Sequence, residues 1–236
     1  MPLNGSSRAF PPSSPHNHII TRSDDDSPLL ASLDHVTQRV DNMAAKMAAL
    51  EAKQQTSDTA IAAAATSMFT RWGSASCGSR AETVYHGTVG GSHYTHSGGA
   101  TNYLCLPPNP VLSSHDNAHA NAYLFGGEYE TYDSHFQKDP VCAVCRAGFP
   151  TTVMTPATTA CPPGWTKQYS GYLMAGEYNH AAGSEFICVD SAFGSAVHSE
   201  QDKNGKLLYF TRTSCGSLPC PPYTNAKVVT CVVCSK

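Results

Sequence analysis

Two hydrophobic patterns divide the chain. Over residues 28–70, apolar residues recur at alternating spacings of four and three, the heptad pattern of a helix that packs against another helix. Ser27-Pro28 supplies an N-cap and a favoured first helical residue, and the register runs on to Met68 before Gly73. The pattern predicts a long N-terminal coiled-coil helix over residues 28–70. Its apolar contact positions are Leu29, Leu33, Val36, Val40, Met43, Met47, Leu50 and Ile61.

The charges in this segment agree with the heptads. Lys46 and Lys53 fall at g positions, and Glu51 and Asp58 fall at the e positions five residues later. This is the spacing of salt bridges between parallel chains. We therefore predict that the chain associates with itself as a parallel homo-oligomer, expected to be a trimer. The alternative is a single amphipathic helix lying on its own domain.

Beyond the helix the pattern changes. Residues 71–236 consist of short apolar stretches broken by Gly, Pro, Asn and Ser, with abundant Tyr and Thr, which is typical of a β domain. Residues 1–27 are rich in Ser, Pro, Asn and His and predict a flexible tail. The tail holds a sequon at Asn4, a three-residue glycosylation motif of low specificity. The predicted fold class is mainly β, preceded by the helix.

The β region repeats itself, with copies at about 77–145 and 161–234. Each copy starts with a cysteine and ends in a Cys-x-x-Cys motif. Between them, Tyr85-His86-Gly87, Tyr94-Thr95-His96 and Tyr103-Leu104-Cys105 match Tyr169-Ser170-Gly171, Tyr178-Asn179-His180 and Phe186-Ile187-Cys188. The repeat predicts an internally duplicated domain of two related β subdomains.

The cysteines are confined to the same region and are even in number. They are Cys77, Cys105, Cys142, Cys145, Cys161, Cys188, Cys215, Cys220, Cys231 and Cys234. Such a set predicts a disulfide framework formed in an oxidising compartment, hence an extracellular protein. Residues 1–20 contain no signal-peptide apolar stretch. Either the start is truncated or misassigned, which we favour, or the protein is cytosolic and its cysteines serve another purpose.

The duplication also bears on connectivity. Equivalent cysteines should be bonded equivalently: Cys77 with Cys161, Cys105 with Cys188, Cys142 with Cys231, and Cys145 with Cys234. Residues three apart in a strand point to opposite faces, so Cys142 and Cys145 should have different partners. Cys215 and Cys220 have no counterpart in the first copy, and Gly216 and Pro219 favour a turn between them. We predict a local bridge there.

Composition excludes two classes of partner. A net charge of −3 gives no electrostatic reason to expect nucleic acid. No run approaches the roughly 18–20 apolar residues that a membrane span needs.

Several groups of side chains were weighed as sites of chemistry. The two Cys-x-x-Cys motifs could bind zinc, but six further cysteines favour disulfides. His93, His96 and His180 could bind a metal, although Glu177 replaces His93 in the second copy, which favours structural or surface histidines.

The acidic residues Glu128, Glu130 and Asp133 have no spacing that fixes a glycosidase pair or a calcium site. The glycine pairs at 90–91, 98–99 and 126–127 are interpreted as turns between strands. No nucleophile elbow, P-loop or dinucleotide fingerprint occurs. We therefore predict no enzymatic activity, no cofactor and no metal.

Four segments carry a resemblance to a known family. They are residues 90–107 (GGSHYTHSGGATNYLCLP), residues 139–145 (DPVCAVC), residues 161–166 (CPPGWT) and residues 215–223 (CGSLPCPPY). In content and order they resemble the C-terminal domain of invertebrate short-chain collagens, the type-IV-like or spongin-type proteins, over about residues 70–236. The resemblance implies a secreted or extracellular matrix setting without catalysis. This chain has no Gly-X-Y run, and the helix stands in place of a triple helix.

Two function hypotheses remain in front. The first is a secreted structural or assembly protein that self-associates through the helix. The second is a multivalent lectin-like or innate-defence binder of glycans or matrix components, because oligomers gain avidity for repeated ligands and the tyrosines could stack on sugars. An enzyme or redox protein is a distant third.

Overall fold

A computed structural model describes residues 27–114 and 121–236. The sequon at Asn4 and the predicted flexible tail, apart from Ser27, lie outside the described residues. The chain divides into two compact units, residues 1–58 and 59–236. Among the described residues, no helix combines the length and apolarity that a membrane crossing needs.

The described part of the first unit belongs to helix α1, which spans Ser27–Ala64 across the boundary between the units. All eight predicted contact residues lie on it and are more than half exposed, from 53% at Val40 to 71% at Leu29. The helix ends earlier than the heptad register predicts, because residues from Ser67 on form a strand. Met68 therefore lies in the sheet, and the β domain begins at residue 67 rather than 71. Pairing with a central strand and burial of the neighbouring aromatic rings override the helical periodicity there.

The second unit is mainly β. Its strands, numbered in chain order, are β1 (Ser67–Trp72), β2 (Ala81–Gly91), β3 (Leu104–Leu106), β4 (Phe125–Tyr129), β5 (Val141–Ala147), β6 (Thr152–Pro156), β7 (Thr166–Ala175), β8 (Ile187–Asp190), β9 (Lys206–Phe210) and β10 (Thr230–Ser235). A short 3-10 turn, Gly78–Arg80, leads into β2.

Seven of these strands close into a ring. The order is β7-β8-β1-β5-β2-β4-β9, and β9 pairs back onto β7. Outside the ring, β10 pairs with residues 166–172 of β7, β6 pairs with β10, and β3 pairs with β2. Most pairs are antiparallel, whereas β4–β9 and the single β1–β8 contact are parallel. Closure leaves the ring strands without the unpaired edges of an open sheet.

The same set of pairings occurs twice along the chain. In the first half, β5 lies between β1 and β2, and β2 also pairs with β3 and β4. In the second half, β10 lies between β6 and β7, and β7 also pairs with β8 and β9. The parallel contacts β4–β9 and β1–β8 join the halves.

Five disulfide bridges hold all ten cysteines. They are Cys77–Cys145, Cys105–Cys142, Cys161–Cys234, Cys188–Cys231 and Cys215–Cys220. The prediction of a disulfide framework is confirmed, as are the local bridge and the separate partners of Cys142 and Cys145. Equivalent cysteines make equivalent bonds, but always within one half. The predicted bonding of Cys77 with Cys161, and of each other cysteine with its equivalent in the second copy, is wrong, because each bridge joins two cysteines of the same half.

The main core lies inside the ring. It contains Val89, Tyr103, Tyr129, Met174, Ile187, Val189 and Leu208, with Trp72 and Phe210 packed against it. A smaller cluster around Tyr169 lies against β10, and a third surrounds the Cys77–Cys145 bridge. Three bridges, Cys77–Cys145, Cys105–Cys142 and Cys188–Cys231, therefore lie within these clusters. Cys161 of a fourth bridge is partly exposed, and both cysteines of the local bridge are exposed.

Two glycines show why the repeated sequence needs them. A Cβ atom at Gly87 would lie 1.7 Å from the carbonyl oxygen of Leu106, and one at Gly171 would lie 1.8 Å from that of Val189. Each glycine stands opposite a bridged cysteine, Cys142 or Cys231, in the strand pairing. Only glycine allows the neighbouring strand to approach this closely.

The interpretation of two glycine pairs as turns is wrong. Gly90 and Gly91 end strand β2, and they pair with Gly126 and Phe125 of β4. A Cβ at Gly90 would approach the Leu106 side chain to 2.4 Å, so close strand contact and not turn geometry demands glycine there. Residues 98–99 do lie in a turn, as predicted.

Candidate functional site

The histidines weighed as metal ligands lie in two equivalent turns. The His96 N–H donates to the carbonyl of His93 over 3.0 Å, and the His180 N–H donates to that of Glu177 over 3.2 Å. The Tyr94 ring lies 4.6 Å from the His180 ring, so the two turns meet. The two halves thus contribute to one face.

The histidines themselves are engaged with neighbours. The rings of His93 and His96 are 5.2 Å apart, and burial together with the nearby His96 lowers the pKa of His93. The Nε2 atom of His180 lies 3.2 Å from a carboxylate oxygen of Glu177. Over the described ranges, no group of three or more His, Cys, Asp or Glu side chains is arranged to hold a metal ion. The four cysteines of the Cys-x-x-Cys motifs are oxidised in bridges, which leaves them no thiolates for zinc.

Glu128 of β4 has a structural role, because it holds a loop in place. Glu128 is fully buried, and one of its carboxylate oxygens accepts hydrogen bonds from the backbone N–H groups of Lys203 and Asn204, at 2.7 and 3.2 Å. Burial, with the adjacent Glu128 carboxylate as a further cause, raises the pKa of Glu130 to about 7. At neutral pH Glu130 is therefore protonated for part of the time. The hydrogen bonds of Glu128 connect β4 to the segment before β9.

Asp133 makes contacts that are separate from those of Glu128 and Glu130. Its Oδ1 atom accepts hydrogen bonds from the Thr131 hydroxyl at 2.7 Å and from the His135 N–H at 2.8 Å. These contacts stabilise a turn after β4 and lower the pKa of Asp133 against the opposing effect of burial. The three acids are thus a buried pair and a separate turn residue.

A large concave feature lies in the second half. It is an open cleft of about 1030 Å³ between the loop after β7, residues 176–186, and the segment after β9, residues 211–226. Tyr178 is 95% exposed at this cleft and Phe186 is 57% exposed, while Tyr209 is partly buried. Burial raises the pKa of the Tyr209 hydroxyl, which therefore stays protonated and able to donate. The cleft has the size of a small-molecule site.

Both walls of the cleft are fixed by hydrogen bonds. The 176–186 loop is tied to the first half, because the Ala182 N–H donates to the carbonyl of Tyr94 and the Glu185 N–H to that of Thr101, at 2.9 and 3.1 Å. In the other wall, the Thr213 N–H donates to the carbonyl of Lys227 over 2.9 Å. The Cys215–Cys220 bridge closes that wall's tip. The cleft is therefore largely preformed.

Polar side chains line the same cleft. Arg212 donates one hydrogen bond to the carbonyl of Ala226 and makes no ion pair with any described residue. The side-chain oxygen of Asn225 accepts from the Cys215 N–H, which leaves its amide N–H₂ available. Buried atoms of two lining residues, Nδ1 of His180 and Oγ1 of Thr211, have no hydrogen-bond partner in the described part of the chain.

The sequence did not reveal the cleft. Its only sequence signal is the pair Cys215 and Cys220, which marks a segment present in one half alone. The buried ion pair between Arg71 of β1 and Asp190 of β8, with 2.6 Å between Nη2 and Oδ2, was also missed. That pair depends on a strand contact that no local pattern shows. No family model matches the chain.

Proposed function

We propose that this protein is a secreted, non-catalytic extracellular assembly protein that self-associates in parallel through helix α1 as a homotrimer. The observation that carries the proposal is the row of eight apolar side chains on α1, each more than half exposed in the single chain. A helix that exposes such a stripe gains stability by burying it against a partner. The heptad spacing of the stripe suits a second copy of the same helix.

The charges on α1 favour identical parallel partners. Lys46 and Lys53 form no ion pair within the described part of the chain. In a parallel coiled coil, each would face Glu51 or Asp58 of a neighbouring helix. Repeated g-to-e pairs of opposite sign select this orientation and disfavour an antiparallel one.

The proposed setting is extracellular because five bridges require an oxidising compartment to form and persist. The resemblance to spongin-type C-terminal domains points the same way. We further propose that the β domain is an internal duplication. The repeated strand pairings, the equivalent bridges and the equivalent glycines Gly87 and Gly171 support this.

The oligomer can be tested with paired variants of the full chain. Val40→Asp with Met47→Asp places charges at a positions, where they would be buried between helices. Ala45→Asp with Ala52→Asp adds the same charges at f positions, on the outside of the coil. Sedimentation equilibrium should give a trimer for the wild type and the Ala45, Ala52 variant, and a monomer for the Val40, Met47 variant. A monomeric wild-type protein would overturn the proposal.

A second function has a specific observation in its favour. The aromatic-lined cleft is suited to a recognition protein, whose weak single sites would gain avidity in an oligomer. Assembly and recognition are compatible, since α1 and the cleft belong to different parts of the chain.

A further inference from the structure

We propose that the cleft between residues 176–186 and 211–226 is a saccharide-binding site that takes pyranose rings against Tyr178 and Phe186. This inference goes beyond assembly and does not depend on the oligomeric state. The first support is the exposure of the two rings, 95% for Tyr178 and 57% for Phe186, on the edge of a preformed cleft. Aromatic rings held open to solvent offer flat apolar faces, which match the C–H faces of a pyranose.

The second support is the kind of polar group beside the rings. A sugar hydroxyl both donates and accepts hydrogen bonds, so its site needs donors and acceptors in alternation. The guanidinium of Arg212 and the amide of Asn225 have N–H groups beyond those used in the hydrogen bonds described above. Glu177 supplies carboxylate oxygens on the opposite wall. The opposite charges of Arg212 and Glu177 leave the cleft near neutral overall. This composition suits a hydroxyl-rich ligand better than a highly charged one.

The third support comes from the unpartnered atoms. A buried polar atom without a hydrogen bond is costly, and such atoms cluster where a ligand or an ordered water completes the network. Nδ1 of His180 and Oγ1 of Thr211 are in this state, and both residues line the cleft. The wall of the cleft therefore contains two polar atoms whose hydrogen bonds the described residues do not supply.

A peptide is a poorer occupant than a saccharide. Extended peptides bind by adding a strand to a free sheet edge. Here β9 pairs with both β4 and β7, and the wall segment pairs with itself through Arg212 and Val228. These pairings already engage backbone groups of β9 and of that wall, which disfavours the addition of a peptide strand there. Recognition at this site therefore depends on side chains, as in the binding of a sugar.

The cleft also marks where the two halves differ. The wall built from residues 211–226 carries the Cys215–Cys220 bridge, which has no equivalent in the first half. This segment, held by its own disulfide bridge, forms one side of the cleft. Local additions of this kind can give a shared fold a new binding site.

The test uses the full chain and three probes: chitotetraose, mannopentaose and a digalacturonate. Saturation-transfer NMR, with each probe at millimolar concentration, detects binding to the wild-type protein. Tyr178→Ala and Arg212→Ala should each weaken the binding of a positive probe by about three- to tenfold, the range for loss of one aromatic contact or one hydrogen bond. If only digalacturonate binds, the site takes acidic saccharides through Arg212.

Matched controls separate the site from general effects. Tyr123→Ala removes another exposed tyrosine, one that packs on His96 and Phe125 in the first half. Arg80→Ala removes another exposed arginine, one that donates to the backbone carbonyl of Lys167. Both should bind as the wild type does. Unchanged thermal unfolding of Tyr178→Ala, expected for so exposed a side chain, shows that the fold is intact.

Three results would overturn the proposal: no transfer to any of the three probes, binding that Tyr178→Ala and Arg212→Ala leave unchanged, or selective binding of a peptide library to the cleft instead. The monomeric Val40, Met47 variant should retain binding to the single site. This separates failure of the saccharide site from failure of the oligomer.

Discussion

At the scale of single residues, the repeated sequence positions perform repeated tasks. The Tyr85 hydroxyl donates to the carbonyl of Cys105 over 3.1 Å, and the Tyr169 hydroxyl donates to that of Cys188 over 2.8 Å. Each tyrosine thus holds the strand that carries a bridged cysteine. Glu130 does not belong to such a repeated pair. Its burial beside Glu128 makes the stability of the fold depend on pH.

The stability of the fold should fall as pH rises from about 4.5 to 7 because of Glu130. Its folded pKa of about 7 lies above the value near 4.5 of the unfolded chain, so in this window the folded state binds the extra proton. Glu130→Gln keeps a neutral side chain and should flatten this part of the profile. Urea unfolding at pH 5 and pH 7 measures the difference.

Glu82→Gln is the control, since Glu82 is exposed and pairs with the exposed Arg146. It should keep the wild-type slope. A Glu130→Gln variant with the wild-type pH profile would show that Glu130 does not hold a proton in the folded state.

At the scale of elements, the bridges differ in what they stabilise. Cys188–Cys231 joins β8 to β10 within the core, and its cysteines are 43 residues apart. Cys215–Cys220 spans five residues at the surface. In the chain-entropy model, the long loop is worth about 4 kcal/mol and the short one about 2.

Replacing both cysteines of each bridge by serine should separate these effects. Cys215→Ser with Cys220→Ser should fold and lose about 2 kcal/mol, because both residues are exposed and leave no cavity. Cys188→Ser with Cys231→Ser should lose at least 4 kcal/mol, because two hydroxyls are buried as well. Urea unfolding under non-reducing conditions gives both values. Equal losses would contradict the conclusion that the bridge within the core contributes more to stability than the local bridge.

At the scale of the whole molecule, the halves are joined by strand pairing, by a shared core and by specific side-chain contacts. Arg71 of β1 reaches Asp190 of β8, a carboxylate that is only 6% exposed. Its guanidinium also lies 5.7 Å from the centre of the Tyr169 ring. The Ala182 N–H also donates to the carbonyl of Tyr94 across the same division. These contacts fix how one half meets the other.

Arg71→Leu should destabilise the β domain by about 3 kcal/mol, because it leaves the Asp190 carboxylate buried without its cation. Arg146→Leu is a matched control, since Arg146 also lies 2.6 Å from a carboxylate, but in an exposed pair with Glu82. Its loss should cost less than about 1 kcal/mol. Thermal or urea unfolding compares them.

Adding Asp190→Asn to Arg71→Leu should recover part of the loss, because no buried charge remains. Equal effects of Arg71→Leu and Arg146→Leu would show that the contact between halves contributes little to stability.

The sequence by itself determined the features that depend on local pattern. Heptad spacing predicted the helix, even cysteine count predicted the disulfides, and turn residues predicted the local Cys215–Cys220 bridge. Period-two geometry was enough to assign Cys142 and Cys145 to different partners. These are properties of a few neighbouring residues, so they can be read without knowing what lies across the fold.

Tertiary structure decided the rest. The end of α1 at Ala64 rather than beyond Met68, the glycines at 90 and 126 inside strands, and the closure of β9 onto β7 all depend on partners distant in sequence. Pairing of distant strands overrides local periodicity, and only it brings residues 176–186 opposite 211–226 to form the cleft. A binding surface assembled from separate segments has no local signature, because its geometry exists only once the chain has folded.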